Sequence, residues 1–289
     1  MKKNLLFLGN NGNLICEFLK HRDINLIGVV ADRVSDEINR YFGSSFLIAE
    51  EHKIPCVSQK TFKTNRLKLL ENTFKNINLI FSQGYQYRIT EDVINVNSLK
   101  IINFHQSLLP EYAGRHPLNW VIVNGERKTG ITFHYVRSNF DDGEIILQKS
   151  IEISKDDDVI TLYNKTIKHG ANSIKDVIQL AYDRDFTPRK QDLSKRTYFP
   201  PRKSEDGEIT REDLIEDIKN KIRALAIPYP GALIKIDGKE FILEKVKDVK
   251  DTRKYENVEF ADKINGSIII RAKDGILEGL ERTEAGCNK

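Results

Sequence analysis

Short apolar runs alternate with helical patterns along the first 180 residues of the chain. Apolar runs at residues 3–9, 25–30 and 78–82 predict buried strands. The segment between the first two runs carries apolar residues at helical spacing, namely Leu14, Ile15, Phe18 and Leu19. A strand, a helix and a second strand in this order form a unit with a right-handed crossover. Further strands are predicted at residues 100–104, 129–136 and 144–148, and the pattern as a whole indicates an α/β fold.

The second half of the chain changes from helical to strand-rich patterning. Residues 158–182 are apolar at helical spacing and predict one long helix that packs across the sheet. A polar, basic stretch with Pro200 and Pro201 follows, and it predicts a junction between domains. After the junction come a predicted helix and four short strands, at residues 210–225, 232–236, 239–247, 267–272 and 276–281. The predicted domains are therefore residues 1–185, a junction segment at 186–209, and a small C-terminal domain at 210–289.

The bulk composition fits a folded protein and excludes other classes. Of the 289 residues, 39% are hydrophobic and 30% are charged, which is typical of a globular chain rather than a disordered one. The formal net charge of +4 is too small to indicate nucleic-acid binding by itself, although it suits a protein that handles anionic small molecules. We therefore expect no nucleic acid among its partners.

Apolar run lengths and cysteine spacing favour the cytoplasm. The run after Lys3 ends at Gly9, short of the roughly 7–15 apolar residues of a signal peptide. No run of about 18 apolar residues occurs, so neither a membrane span nor a membrane partner is predicted. The three cysteines are odd in number and far apart, at Cys16, Cys56 and Cys287. This spacing indicates a reducing compartment without disulfides, and we expect no metal site.

The glycines after the first strand do not form a dinucleotide fingerprint. Gly9 and Gly12 frame the turn, but Asn11 stands where a G-x-G-x-x-G motif has its second glycine. Asp32 is the one candidate acidic partner after the second strand. The glycines are therefore interpreted as residues that turn the chain, which disfavours a generic nicotinamide oxidoreductase.

The strand over residues 100–104 ends in candidate chemistry. Asn103 and His105 are two residues apart, so they lie on one face at the carboxyl end of the strand, where open α/β sheets bind ligands. The amide of Asn103 can hold a developing oxyanion, and the imidazole of His105 can manage a proton near neutral pH. An amide donor next to an imidazole suits acyl transfer. The alternative is that both side chains only satisfy backbone groups at a turn.

Three other segments carry candidate site residues. The Gly-aromatic loop that ends at Ile89 follows a strand and could line a pocket for a flat ring, or could be an ordinary surface loop. Asp141 or Asp142 could supply a carboxylate to the Asn-His pair, although Asp-Asp-Gly also favours a plain hairpin turn. Arg115 and His116 precede a predicted helix that opens at Pro117, a place suited to anionic substrates.

These motifs, read in order, resemble the formyltetrahydrofolate-dependent formyltransferases. The resemblance spans about residues 1–180 and continues more weakly through Pro230-Gly231-Ala232. The motif residues that carry it are Asn103, His105, Ser107-Leu108-Leu109-Pro110, Gly114, Pro117, Gly125-Glu126, Thr129-Gly130 and Asp141-Asp142-Gly143. The resemblance implies a Rossmann-like catalytic domain with a mostly parallel sheet that binds a folate, followed by a small β-rich C-terminal domain. It also implies that Asn103, His105 and Asp141 are catalytic, since Asp141 rather than Asp142 fits the family's D-x-G.

Within this family, the chain looks most similar to the nucleotide-sugar N-formyltransferases. The segments at residues 118–126 and 199–209 carry that similarity. They imply that N10-formyltetrahydrofolate donates a formyl group to a UDP-, dTDP- or GDP-linked 3- or 4-amino sugar, with a 4-amino-4,6-dideoxy sugar favoured. The product would serve O-antigen or other surface polysaccharide synthesis. The last strands instead resemble a shortened C-terminal domain of methionyl-tRNA formyltransferases, so charged tRNA is the alternative acceptor.

The resemblance and the charge pattern also assign binding residues. The folate is expected to contact Tyr85, Gln86, Tyr87, Arg88, Ile89, Val136 and Asp142. The nucleotide sugar is expected to contact Arg115, His116, Arg202, Lys203 and Tyr229. Arg202 and Lys203 would hold the diphosphate, whereas Tyr229 could either stack on the base or pack against the core. A homodimer through the C-terminal strands is a further expectation, based on their exposed edges.

Overall fold

A computed structural model describes residues 2–96 and 99–282 of the chain. Cys287 lies outside these residues. The chain divides into two compact units. The first contains residues 1–114, 129–152 and 163–199, and the second contains residues 115–128, 153–162 and 200–289. Every helix among the described residues is too short or too polar to span a lipid bilayer.

The first unit is built on a seven-stranded sheet with the order β3-β2-β1-β4-β5-β7-β8. Strands β1 to β5 pair in parallel, and β7 runs antiparallel to β5. The strands are β1 (Lys3–Leu8), β2 (Ile24–Val30), β3 (Cys56–Val57), β4 (Leu79–Ser82), β5 (Lys100–His105), β7 (Lys128–Tyr135) and β8 (Ile145–Glu152). A separate short parallel pair joins β6 (Ala113–Gly114) to β9 (Tyr198–Phe199). This arrangement confirms the predicted mostly parallel, Rossmann-like sheet.

Helices flank the central strands of the sheet because their apolar faces fit its buried residues. In α1, the side chain of Asn11 caps the first turn by accepting from Leu14 N, and Phe18 is buried against Phe81 with ring centroids 4.8 Å apart. The helices of this part of the chain are α1 (Gly12–Lys20), α2 (Asp36–Phe42), α3 (Ser45–Glu51), α4 (Gln59–Asn72), α5 (Glu91–Ile94), α6 (Pro117–Val123), α7 (Val159–Ala171) and α8 (Ile174–Tyr182). Helix α6 belongs to the second unit.

The single helix predicted over residues 158–182 is wrong, because the structure breaks it into α7 and α8. Ser173 lies at the break, where its Oγ donates to the carbonyl of His169 at 2.8 Å. The same Oγ accepts from Lys149 Nζ at 2.8 Å. A serine that bonds both a preceding carbonyl and a neighbouring strand competes with regular helix geometry. The apolar spacing was read correctly, but it does not record this local interruption.

The second unit contains a five-stranded antiparallel sheet with the order β10-β11-β14-β13-β12. Its strands are β10 (Ala232–Ile236), β11 (Lys239–Asp248), β12 (Ala261–Ile264), β13 (Ser267–Ala272) and β14 (Gly275–Glu281). Helix α9 (Ile215–Ala224) buries Ile218 and Ile222 against this sheet. It begins five residues later than predicted, since Asp217 accepts from Leu214 N at 2.9 Å and sets the start of the helix. The sheet confirms the predicted β-rich C-terminal region.

Candidate functional site

Strands β5 and β7 place three polar side chains on one face of the sheet. Asn103 and His105 alternate with buried Phe104 at the end of β5, as the period of a strand requires. The antiparallel register sets Asn103 directly opposite His134 of β7. Asn103 Nδ2 lies 3.1 Å from His134 Nε2, as expected for a directly opposed cross-strand pair.

Asp141 lies in the turn after β7 and faces both histidines. Its Oδ1 is 3.7 Å from His105 Nδ1 and 3.6 Å from His134 Nε2. Its Oδ2 accepts a hydrogen bond from the backbone N–H of Gly114 at 2.9 Å. Burial raises the pKa of the Asp141 carboxyl. The two imidazoles and the Gly114 N–H outweigh that effect and hold the pKa well below its usual range.

The other ring nitrogen of His105 is also engaged. Nε2 lies 2.9 Å from the carbonyl oxygen of Tyr112, and the residue is only 7% exposed. A carbonyl can only accept, so Nε2 carries a proton and donates to it. The imidazole therefore faces an acceptor on each side. An amide donor, a proton-bearing imidazole and a carboxylate together can stabilise and discharge a tetrahedral oxyanion.

The turn that carries Asp141 is held by a distant segment. Gln191 Nε2 donates to the carbonyls of Asp141 at 2.9 Å and Gly143 at 2.7 Å. Arg196 Nη2 donates to the carbonyl of Phe140 at 2.8 Å. Gly143 is sterically required, since a Cβ there would lie 1.7 Å from the Tyr135 oxygen. Asp142 points elsewhere and accepts from Asn139 Nδ2 at 2.9 Å.

The Ser-Leu-Leu-Pro motif at residues 107–110 is hydrogen-bonded to the Thr-Gly-Ile-Thr motif at residues 129–132 of β7. Thr132 Oγ1 donates to the Ser107 carbonyl at 2.7 Å and accepts from Gln148 Nε2 at 2.8 Å. A Cβ on Gly130 would lie 2.3 Å from both Leu108 Cδ2 and the Lys149 carbonyl. These two motifs therefore occur together because each fits the other, and together they support the strand end that carries His105.

The residues predicted to contact a folate come from two segments that meet. Tyr85 and Val136 pack against the same hydrophobic cluster beneath the sheet, and Arg88 Nη2 donates to the Ser138 carbonyl and so joins the segments. Burial raises the pKa of Tyr85 to about 12. Ile89, at 9% exposure, is part of the cluster itself.

The remaining predicted folate residues lie beside this junction in the first unit. Gln86 is exposed, and its backbone N–H donates to Gln59 Oε1 at 2.9 Å. The ring of Tyr87 lies edge-on to that of Tyr85, with centroids 5.8 Å apart. Their contact with a folate stays a prediction.

The residues predicted to bind a nucleotide sugar lie in the second unit. The guanidinium of Arg202 lies over the ring of Trp120, 5.2 Å from the centroid, and its buried Nε and Nη1 have no hydrogen-bond partner. Burial lowers the pKa of Arg202 from its usual range. Tyr229 packs against the core of this unit, edge-on to His116 at 6.4 Å.

The other two basic residues of this group are exposed. Arg115 lies on the surface ahead of α6. Lys203 is also exposed, and its backbone N–H donates to Asp206 Oδ2 at 2.6 Å. Arg202 is therefore the member of the group best placed to need an anionic partner, because its charge is partly buried and its Nε and Nη1 have no hydrogen-bond partner.

Sequence reasoning missed several supporting residues. His134, the Gly114 N–H and Gln191 all contact the groups around Asp141, yet none was singled out as a site residue. His134 lies on the predicted strand at 129–136, but its place beside Asn103 depends on the pairing of β7 with β5, which the sequence alone did not show. Gln191 gave none, because it lies 50 residues beyond the turn that it holds.

No metal-binding site is visible in the described part of the chain. Across residues 2–96 and 99–282, no cluster of three or more His, Cys, Asp or Glu side chains is arranged to hold a metal ion.

Comparisons with known proteins place the chain among the formyltransferases. The family model described as "Formyl transferase" matches residues 4–178, and "Formyl transferase, C-terminal domain" matches residues 202–289. Methionyl-tRNA formyltransferase of Geobacter metallireducens is 31% identical over 233 residues, which covers 81% of this chain and 71% of that protein. The bifunctional polymyxin resistance protein ArnA of Wigglesworthia glossinidia brevipalpis is 32% identical over 225 residues, 78% of this chain but only 34% of that longer protein.

A solved structure shares the fold across both units. The N-formyltransferase of Helicobacter canadensis, crystallised with folinic acid and dTDP-3-aminofucose, has a TM-score of 0.73 and 20% identity and covers 98% of this chain and 100% of its own. Together with the family models, which match both the parallel-sheet unit and the C-terminal strands, these findings show that the chain belongs to the formyl transferase family.

Proposed function

We propose that this formyltransferase moves the formyl group of N10-formyltetrahydrofolate to the amino group of a nucleotide-linked amino sugar. The observation that carries the transfer chemistry is the convergence of His105 and Asp141, with Asn103 linked to the same carboxylate through His134. Surface polysaccharide synthesis, such as that of O-antigen, is the setting we propose for the product.

In the proposed reaction, the side chains handle charge and protons without forming a covalent bond to the formyl group. The sugar amine attacks the formyl carbon, and a C–N bond forms as the carbonyl oxygen becomes an oxyanion. The amide N–H of Asn103 holds that oxyanion, and His105 beside it stabilises the negative charge when its imidazole is protonated. Asp141 accepts the proton that the new ammonium loses, and this proton is passed to N10 as the bond between N10 and the formyl carbon breaks. The products are the N-formyl sugar and tetrahydrofolate, and atoms and charge balance.

The donor side of the proposal is supported by the two joined segments in the first unit. The Tyr85–Ile89 loop and the turn after β7 share a hydrophobic cluster and the Arg88–Ser138 hydrogen bond. Apolar side chains beside exposed backbone polar groups suit the flat ring of a folate. The same turn carries Asp141, so a ring held there would present its formyl group to the candidate catalytic side chains.

The acceptor side is supported by Arg202. A guanidinium that is partly buried with two unused N–H donors is unfavourable unless an anion completes it. The oxygens of a diphosphate match the spacing of the N–H groups on the Arg202 guanidinium. The Trp120 ring beneath keeps that guanidinium in place. The crystallised Helicobacter canadensis relative was solved with a dTDP-linked amino sugar, which is a ligand of this class.

Methionyl-tRNA is the second candidate acceptor, favoured by the 31% identity to a methionyl-tRNA formyltransferase. Charge in the C-terminal region weighs against it. Residues 200–289 contain 18 Lys and Arg against 19 Asp and Glu. Several lysines of the sheet are also neutralised locally, for example Lys263 by Glu281 at 2.6 Å. Binding of a polyanionic RNA depends on basic residues that displace counterions, and the sequence of this region has no excess of them.

An acceptor panel separates the two candidates. Purified protein is incubated with formyltetrahydrofolate and UDP-, GDP- or dTDP-linked 3- and 4-amino sugars, or with charged initiator tRNA, and release of tetrahydrofolate is followed. We expect turnover with one nucleotide sugar and none with tRNA. Turnover with tRNA alone would overturn the sugar proposal and support the second candidate.

The role of Arg202 is tested on the active sugar. Arg202→Gln should raise the KM for the nucleotide sugar by about 10-fold or more while the KM for the folate stays unchanged, since a charge-assisted bond contributes roughly 1.5–3 kcal/mol. Lys239→Gln, at an exposed hairpin position of the same unit, is the matched control. An unchanged KM in Arg202→Gln would remove Arg202 from phosphate binding.

A further inference from the structure

A second histidine lies beside the candidate catalytic side chains and has no role in the reaction as proposed. His134 is 2% exposed and directly opposite Asn103 in the β5–β7 register. Its Nδ1 is 2.9 Å from the Tyr135 carbonyl, and its Nε2 is 3.1 Å from Asn103 Nδ2. A buried titratable group so placed affects both hydrogen bonding and proton location at the site.

The partners of His134 define its tautomer. The Tyr135 carbonyl can only accept, so Nδ1 carries the proton. The amide nitrogen of Asn103 can only donate, so Nε2 offers its lone pair. A proton on Nε2 would set two donors against each other. The neutral Nδ1–H form is therefore the one that matches both neighbours.

This contact also sets the direction of the Asn103 amide. With one N–H bonded to His134 Nε2, the second N–H of the same nitrogen is left to bond an oxyanion. A reversed amide would turn its oxygen towards the developing negative charge and repel it. The His134 imidazole therefore distinguishes the amide nitrogen of Asn103 from the amide oxygen, which has nearly the same shape.

Asp141 lies near both imidazoles. The carboxylate lies 3.7 Å from His105 and 3.6 Å from His134, with the Gly114 N–H on its other oxygen. His105 faces two acceptors, the Tyr112 carbonyl and the carboxylate. His134 faces an acceptor at Nδ1, and at Nε2 the Asn103 amide at 3.1 Å is a closer neighbour than the carboxylate. The Asn103 contact is therefore the hydrogen bond of His134 Nε2.

We propose that His134 is a positioning residue that carries a proton on Nδ1, accepts from the amide of Asn103 at Nε2 and so orients that amide towards the oxyanion. The kinetic part rests on the proposed catalytic role of Asn103, whereas the protonation part does not.

Nitrogen NMR of the full-length protein tests the protonation part directly. The chain has six histidines, so 15N-histidine labelling gives few signals, and His134→Gln and His105→Gln identify two of them. We expect His134 to show the shifts of a ring protonated on Nδ1 with a hydrogen-bonded, unprotonated Nε2. A His134 protonated on Nε2 would overturn the proposal.

Two substitutions separate positioning from packing in the kinetics. His134→Asn keeps a polar group near the Nδ1 position but loses the acceptor for Asn103. His134→Gln can place an amide oxygen near the Nε2 position. We expect kcat to fall about 10- to 100-fold in His134→Asn with both KM values within about twofold, and to recover most of that loss in His134→Gln. Phe133→Leu, on the opposite face of β7, is the control for general loosening of the strand.

A double mutant completes the test. In the Asn103→Ala background, His134→Asn should cause no further loss of kcat, because the amide that it orients is gone. Additive losses would show that His134 acts independently of Asn103 and would refute the inference. Full activity of Asn103→Ala would instead refute the proposed catalytic role of Asn103, and the NMR result would still decide the tautomer.

Discussion

Asp141 has a depressed pKa although it is buried. Burial acts against its charge, but two imidazoles within 3.7 Å and a backbone N–H outweigh it. The carboxylate is therefore ionised throughout the physiological range. Its negative charge faces both imidazoles at neutral pH.

Asn103→Ala tests the oxyanion role at the scale of one amide. Loss of one preorganised donor typically reduces turnover about 100- to 1,000-fold. We expect a kcat loss of that size with an unchanged circular dichroism spectrum and thermal midpoint within a few degrees of the parent. Turnover equal to that of the parent protein would remove Asn103 from the mechanism.

Asp141→Asn should reduce kcat more than Asp142→Asn does. Asp141 faces the two imidazoles, whereas Asp142 accepts from Asn139 within the turn. The two variants remove the same charge one residue apart, so Asp142→Asn is the matched control in steady-state assays. The reverse order would identify Asp142 as the catalytic carboxylate.

The same pair of variants has a second readout in acid stability. Because the pKa of Asp141 is lower in the folded than in the unfolded chain, its carboxylate stabilises the fold above the unfolded pKa of about 4. That contribution is lost as the pH falls further. We expect the free energy of unfolding, measured by urea titration between pH 6 and pH 3, to fall less steeply in Asp141→Asn than in Asp142→Asn. Equal slopes would contradict the depressed pKa.

At the scale of elements, the catalytic turn depends on a glycine that makes room for the backbone. A methyl group on Gly143 would collide with the Tyr135 carbonyl. Gly143→Ala should therefore displace the turn, cost about 1–3 kcal/mol in unfolding free energy and reduce kcat by more than about 10-fold. Denaturant unfolding and steady-state kinetics measure both effects.

Gly266→Ala provides the control for this prediction. Gly266 lies in the β12–β13 hairpin with a φ of 85° and open space around it, so alanine there tests backbone strain without a collision. It should lower stability with no loss of kcat. Wild-type kcat in Gly143→Ala would show that the turn tolerates displacement.

The sequence predicted most elements because apolar periodicity reports burial directly. The strands at the sheet centre and the four C-terminal strands at 232–236, 239–247, 267–272 and 276–281 were found in this way. It also placed Asn103, His105 and Asp141 in order along the chain. The break at Ser173 and the pair β6–β9 escaped, since one depends on a side-chain hydrogen bond and the other on two-residue strands 85 positions apart.

At the scale of the whole molecule, the stretch predicted as a junction is partly held by the first unit. Arg189 bridges to Ile145, and Phe199 pairs with Gly114 in β6–β9. The second unit resumes at residue 200. Composition alone showed a polar basic stretch and gave no sign of these backbone hydrogen bonds, which join residues far apart in the chain.

Limited trypsin digestion tests this division. Backbone hydrogen bonds hold Arg189 and Phe199 at the two ends of the segment at residues 189–199, and the side chains of Gln191 and Arg196 tie its middle to the Asp141 turn, whereas Lys203 is exposed in the segment that follows. The earliest cleavage between residues 186 and 209 should therefore occur after Lys203, as read by mass spectrometry of the first fragments. First cuts after Lys190 or Lys195 would show that the segment is not held.

The hydrogen bonds from Gln191 and Arg196 to the Asp141 turn have a consequence for synthesis in the cell. A ribosome delivers the residues of the sheet and its carboxylate some 50 positions before the side chains that fasten them. A nascent chain that ends near residue 143 contains Asp141 but lacks Gln191 and Arg196, the two residues that hold its turn. Catalytic competence therefore arrives late in translation, and a product truncated near residue 185 would be expected to fold its sheet yet remain inactive.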